Sequence, residues 1–134
     1  MENKKLILLI DQDEYSSLLV RDAFLIYGKG KFNVDIINDL AKVDEYLKEK
    51  TPDIILVELA FRKDHLPSTE IGLEFLQKLK TNSQLQNTKI FVFTSYTDLK
   101  DKALAMGADD FVVKGKHFPS ELYNYILDKL KSNN

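Results

Sequence analysis

Short unbroken apolar runs alternate along this chain with longer segments whose apolar positions recur at helical spacing. Leu6–Ile10 is a continuous run ending at Asp11, as expected of a strand buried on both faces. Val20, Ala23, Phe24 and Tyr27 then recur at helical spacing between Tyr15 and Tyr27, and Gly28 supplies a stop. Phe32, Val34 and Ile36 alternate with Asn33 and Asp35, which suits a half-exposed strand at a sheet edge. Asn38 is placed to cap a second helix carrying Leu40, Val43 and Leu47, which stops before Pro52. Ile54–Val57 is the next buried run. The stretch from Arg62 to Glu70 is polar, contains Pro67 and has no apolar period, so it predicts a loop.

Gly72, Phe75, Leu76 and Leu79 form one helical stripe, and Ile90–Phe93 a further buried strand ending at Thr94 and Ser95. Leu99, Ala103 and Met106 mark a fourth helix closed by Gly107. Phe111–Val113 is the last strand. Pro119 suits the first turn of a final helix with Leu122, Tyr123, Ile126, Leu127 and Leu130 on its apolar side. Five βα units in succession imply a parallel sheet covered by helices on both faces, joined by right-handed crossovers. The alternating second strand belongs at the edge. In such sheets function sits beyond the carboxyl ends of the strands.

Composition narrows this picture. The chain has 134 residues, which suits one domain spanning 1–134. It has no cysteine, so disulfides, iron–sulfur clusters and thiolate zinc sites are excluded. A formal net charge of −2 argues against non-specific nucleic-acid binding. No apolar run approaches a membrane span, and the first residues lead into no secretory signal. A cytoplasmic location, with neither membrane nor nucleic acid as partner, is expected.

The residues just after the buried strands are Asp11, Gln12 and Asp13, then Glu58, then Thr94 and Ser95, then Lys114. Singly, a charged residue at a strand end is simply solvated. Arriving from four strands at one sheet edge, they describe a cleft of carboxylates, hydroxyls and one lysine, in which an acid cluster needs a cation.

These segments carry a resemblance. Leu8–Asp13, Pro52–Leu59, Phe91–Ser95 and Gly107–Lys114, in that order and spacing, resemble the response-regulator receiver domain of two-component signalling, over Lys5 to about Leu130. The resemblance implies a flavodoxin-like, three-layer αβα fold with five parallel strands in the order 2-1-3-4-5. It makes Glu58 the counterpart of the phosphoacceptor aspartate and Asp11, Gln12 and Asp13 the acidic cluster. Thr94, Ser95, Phe111 and Lys114 become the switch and cleft residues. It also implies a protein partner, a histidine kinase-related or downstream signalling protein, on the face of the fourth helix, fifth strand and fifth helix (Thr97–Met106, Phe111–Val113 and Ser120–Leu130).

The departures from that family carry the chemistry. Gln12, a neutral amide, stands where the family has a metal-binding carboxylate, and Glu58 stands where it has aspartate. Gly72 follows Glu58 by 14 residues, a loop about six residues longer than the family's. Arg62 and Gly115 stand at two places usually held by proline. Magnesium prefers hard oxygen ligands including carboxylates, so Gln12 weakens any magnesium site and leaves Asp11, with Asp13 as a substitute, as the ligands for it. Glu58 adds one methylene, about 1.5 Å, and a misplacement of about 1 Å costs on the order of a hundredfold in rate. Ordinary phosphorylation is therefore not expected, and a weakly bound magnesium ion is the one cofactor the pattern leaves room for.

Glu58 has two readings: a built-in stand-in for phosphate within reach of Lys114 and Thr94, or a relic on a scaffold that kept only its fold. A signalling module acting by protein contact, not an enzyme, is the leading expectation. A working phosphoacceptor using Asp11, Asp13 and Glu58 is the alternative. Flavin binding is a third, disfavoured because Asp11-Gln12-Asp13-Glu14 would repel a phosphate. His65 and His117 lie 52 positions apart and read as surface residues. Tyr125 lies off the main apolar stripe and is a candidate for exposure on a partner surface, and Ser16 and Ser17 read as helix-start residues.

Overall fold

A computed structural model describes residues 4–132. Its central sheet has five strands: β1 (Lys5–Ile10), β2 (Phe32–Ile37), β3 (Ile54–Val57), β6 (Lys89–Thr94) and β7 (Asp110–Val113). The order across the sheet is β2-β1-β3-β6-β7 and every pairing is parallel. Counted within this sheet alone the order is 2-1-3-4-5, with the alternating strand at an edge as its pattern predicts.

The buried runs work because neighbouring side chains enter two different cores. Leu8, Ile10, Ile55, Val57, Ile90 and Val92 face one way, against Val43 and Leu47 of α2 (Val43–Glu49) and Leu73, Leu76 and Leu79 of α3 (Thr69–Thr81). Ile7, Leu9, Ile54, Leu56, Phe91 and Val112 face the other way. There they meet Val20 and Phe24 of α1 (Glu14–Gly28) and Leu122, Tyr123 and Ile126 of α5 (Pro119–Ser132). On that side Phe24 packs edge-on against both Phe32 and Tyr123, with ring centroids 5.1 and 5.2 Å apart. The short α4 (Lys100–Ala105) completes the first layer.

Four local expectations are corrected. The stretch from Arg62 to Glu70 is not an open loop. It folds into an antiparallel hairpin, β4 (Phe61–Lys63) and β5 (Leu66–Ser68), outside the central sheet, and α3 already begins at Thr69. Three-residue strands with one buried side chain, Phe61, give no period to detect. Asn38 does not cap the second helix. Asp39 does so instead, accepting from the Ala41 N–H at the head of a 3-10 turn that leads into α2. Gly28 is the last residue of α1 rather than its stop. Lys29 takes the left-handed turn at φ 49°, and Gly28 is needed because a Cβ there would lie 2.6 Å from the Phe32 ring. Tyr125 is half-buried, and its hydroxyl donates to Asp110 at 2.7 Å.

Candidate functional site

Backbone pairing continues past the strand ends and sets the cleft. Asp11 N–H donates to Ile37 O at 3.1 Å and Glu58 N–H to Ile10 O at 2.9 Å, so the two acids leave adjacent strands side by side. Lys114 N–H donates to Thr94 O at 2.9 Å across β6 and β7. The Asn38 amide donates to Asp11 O at 2.6 Å, which ties the edge strand to the same corner. A cleft of about 390 Å³ results, lined on one side by Asp11, Gln12, Asp13 and Glu58 and on the other by Ser95 and Lys114.

Lys114 occupies the centre. Its Nζ lies 2.7 Å from Asp11 Oδ2 and 3.0 Å from Glu58 Oε1, and its side chain is 16% exposed. The remaining oxygens of the two acids are also engaged. Asp11 Oδ1 accepts from Asp13 N–H at 2.9 Å. Glu58 Oε2 accepts from the N–H groups of both Leu59 and Ala60. The extra methylene of glutamate lets the carboxylate curl back onto the peptides that follow it, where the sequence had suggested an arm held out into the cleft.

Burial raises the Asp11 carboxyl above the ordinary carboxylate value, and the hydrogen bond and charge of Lys114 pull against that rise. Burial alone would depress Lys114, but Asp11 and Glu58 together outweigh it and hold the ammonium above its ordinary value. The lysine therefore stays charged in the cleft.

Two other candidates are used differently from the family pattern. Asp13 is the N-cap of α1: Oδ1 accepts from Tyr15 N–H at 3.1 Å and Oδ2 from the Ser16 hydroxyl at 2.8 Å. The Ser16 hydroxyl lowers the Asp13 carboxyl below its ordinary range. Gln12 lines the cleft beside the acids, and its Oε1 accepts from Arg62 N–H at 2.7 Å, on the hairpin. The carboxylate oxygens that a divalent cation would use are engaged by protein groups in this arrangement. Lys114 stands between the two buried carboxylates, Asp13 serves the helix start, and the described residues bring no three acids or histidines together as ligands.

Thr94 is fully buried, and its Oγ1 accepts from Tyr96 N–H at 3.3 Å; Phe111 is buried beneath the same corner. Glu58 thus meets Lys114, as expected, but its carboxylate spends its other oxygen on backbone rather than on Thr94. His65 lies in the hairpin turn, and His117 stacks on Tyr125 with ring centroids 5.1 Å apart.

Three contributors escaped the sequence. The Leu59 and Ala60 N–H groups are backbone and carry no residue-type signal. Asn38 is a capping residue by type, and its amide instead serves Asp11 O. Gly72 belongs to the apolar stripe by its spacing, yet a Cβ on it would lie 1.8 Å from Leu59 O. Its absence lets α3 press against the segment that carries Glu58. A glycine inside a helical stripe is the clue that marks such an approach.

The family follows from fold and cleft together. Residues 7–126 match the response regulator receiver domain, and the chain belongs to that family of two-component signalling modules. In sequence it is 36% identical over 86 residues to the transcriptional regulatory protein PhoP of Escherichia coli (strain K12), an alignment covering 63% of this chain and 35% of PhoP. The chain thus spans about a third of the length of that relative. In structure it resembles a signal receiver domain of a two-component histidine kinase from Clostridium thermocellum. That match has TM-score 0.77 and 21% identity, covering 96% of this chain and 99% of the other. It also resembles the chemotaxis response regulator CheY4 of Vibrio cholerae (TM-score 0.74, 19% identity, covering 95% and 99%). At these identities the likeness is one of fold. Among the described residues no helix is long and apolar enough to cross a membrane.

Proposed function

We propose that this receiver signals through protein contact without being phosphorylated, with Lys114, Asp11 and Glu58 forming a permanently closed ion cluster. One observation carries the reading. A single ammonium lies within 3.0 Å of both buried acids, and each of their remaining oxygens is held by a backbone N–H. Phosphoryl transfer to a carboxylate needs a free oxygen in line with the donor and a cation to neutralise the phosphoryl group. Here the cation's place is taken by Lys114, and the acceptor oxygens are occupied. The alternative, a working acceptor with Asp13 as substitute ligand, finds no support in an Asp13 already committed to the head of α1.

The partner surface we assign is the face of α4, β7 and α5, with Leu104 as its exposed apolar residue. Lys129 and Tyr125 border it, both drawn to Asp110. The partner is a protein of the same signalling class as the relatives, and a cytoplasmic setting suits that role.

Glu58→Gln tests the cluster. It keeps length and removes charge, so NMR should show the Lys114, Thr94 and Phe111 resonances moving while those of β1 and α5 stay in place. Unchanged resonances around Lys114 would show Glu58 to be a relic, and the cluster reading would fall.

A further inference from the structure

The insertion that lengthens the segment after Glu58 forms a wall of the cleft: Phe61 and Arg62 of β4 and Pro67 of β5 all line it. Little holds this hairpin in place. Its strands have three residues each, and from Arg62 to Pro67 every residue is exposed. Both turn residues, Asp64 and His65, sit at positive φ (52° and 67°) without being glycine. A two-stranded hairpin of that length is marginal by itself. Phe61, 2% exposed, anchors its first residue to the core.

A second anchor lies beyond it. Arg62 pairs with Pro67, which has no N–H, so that pair is the non-hydrogen-bonded kind and the Arg62 N–H points out of the hairpin. What it meets is Gln12 Oε1, at 2.7 Å. Residue 12 lies two positions beyond the end of β1 and lines the same cleft. Its hydrogen bond therefore joins the hairpin wall to the segment that follows β1.

We propose that Gln12 is a latch: its side-chain carbonyl holds the β4–β5 hairpin closed against the Glu58–Lys114 cleft through the Arg62 N–H, and release of that bond opens the cleft from the hairpin side. Gln12 is then a positioning residue in this chain, and its amide has a use unrelated to metal binding. The inference stands whether or not the ion cluster signals, because it concerns access to the cleft.

The test compares the full chain with Gln12→Met, which keeps the length but cannot accept, and Gln12→Asn, which keeps the amide but is one methylene short. Three readouts are taken on each: amide exchange at Arg62 by NMR, trypsin cleavage after Arg62 and Lys63, and labelling of Lys114 by an amine-reactive ester, mapped by peptide mass. Both variants should speed all three by roughly three- to tenfold, the factor an ordinary net hydrogen bond supplies. Amides of Ile55 and Leu56 should keep their wild-type rates. The latch is overturned if Arg62 exchange and cleavage are unchanged, or if the core amides accelerate by the same factor, which would mean general loss of stability. Faster exchange with unchanged Lys114 labelling would overturn the gating role.

Discussion

Replacing Lys114 by methionine isolates what the central ammonium contributes. The change keeps a flexible apolar stem one atom shorter, and it removes two charge-assisted contacts, at 2.7 and 3.0 Å, from a side chain only 16% exposed. It also leaves Asp11 and Glu58, whose side chains are 8% and 7% exposed, facing each other without a cation. Breaking a buried pair by removing one partner costs about 3–5 kcal/mol. The residual exposure of the lysine and the backbone donors that still hold both acids favour the lower end, about 3 kcal/mol. For a chain of this length that lowers Tm by roughly 10 °C.

The loss should depend on pH. Burial already raises the Asp11 carboxyl, and Lys114 draws it back more than the Asp13 N–H does, so in Lys114→Met the folded-state value rises further above the unfolded one. A group raised in the folded state gives stability that is present at low pH and lost as pH climbs through its folded value. The variant should therefore be furthest below wild type at pH 7 and should recover towards it on acidification. Urea unfolding of both proteins at pH 7 and pH 5 reads this directly. A loss under about 1 kcal/mol that is the same at both pH values would show that the cluster is not an electrostatic unit.

Three further outcomes are expected. Gly72→Ala gains about 1 kcal/mol of helix propensity but drives a Cβ into Leu59 O, 1.8 Å away, with Leu59 C and Cα at 2.3 and 2.4 Å. Overpacking against backbone costs about 3 kcal/mol, so a net loss of about 2 kcal/mol by urea unfolding is expected, with shifted Leu59 and Ala60 amide resonances. Lys114 and Tyr46 are both held above their ordinary values, and burial with the Asp110 hydrogen bond pushes Tyr125 up to about 12. All three signs agree, so thermal melts should show stability falling as pH rises above about 10. Tyr125→Phe removes its share of that fall and, near pH 8, costs about 1 kcal/mol through the lost bond to Asp110.

The layered fold was legible because its signals are repeated and local. Runs such as Ile54–Val57 are apolar at every position since the sheet has a core on each face, and Phe32–Ile37 alternates since it lies at the edge. The strand-end rule then collected Asp11, Glu58, Thr94 and Lys114 at one edge, and the structure brings Asp11, Glu58 and Lys114 into contact. What escaped depends on geometry that no residue type encodes. The hairpin is held by one buried phenylalanine and by a bond to a side chain fifty positions earlier. Glu58 could be given a length from sequence but not a direction, and the backbone donors that turn it belong to its own two successors. Asn38 and Asp39 are both good caps, and the choice between them was made by Asp11 O, which claims the asparagine amide.

The most direct test of a closed, unphosphorylated cluster is the intact mass of the protein after incubation with a small-molecule phosphodonor and magnesium. Wild-type chain should keep its mass, since Lys114 and the Leu59 and Ala60 N–H groups already occupy the acids that would have to bind metal and accept phosphate. Gain of one phosphoryl group, mapped to Glu58 and lost in Glu58→Gln, would contradict it.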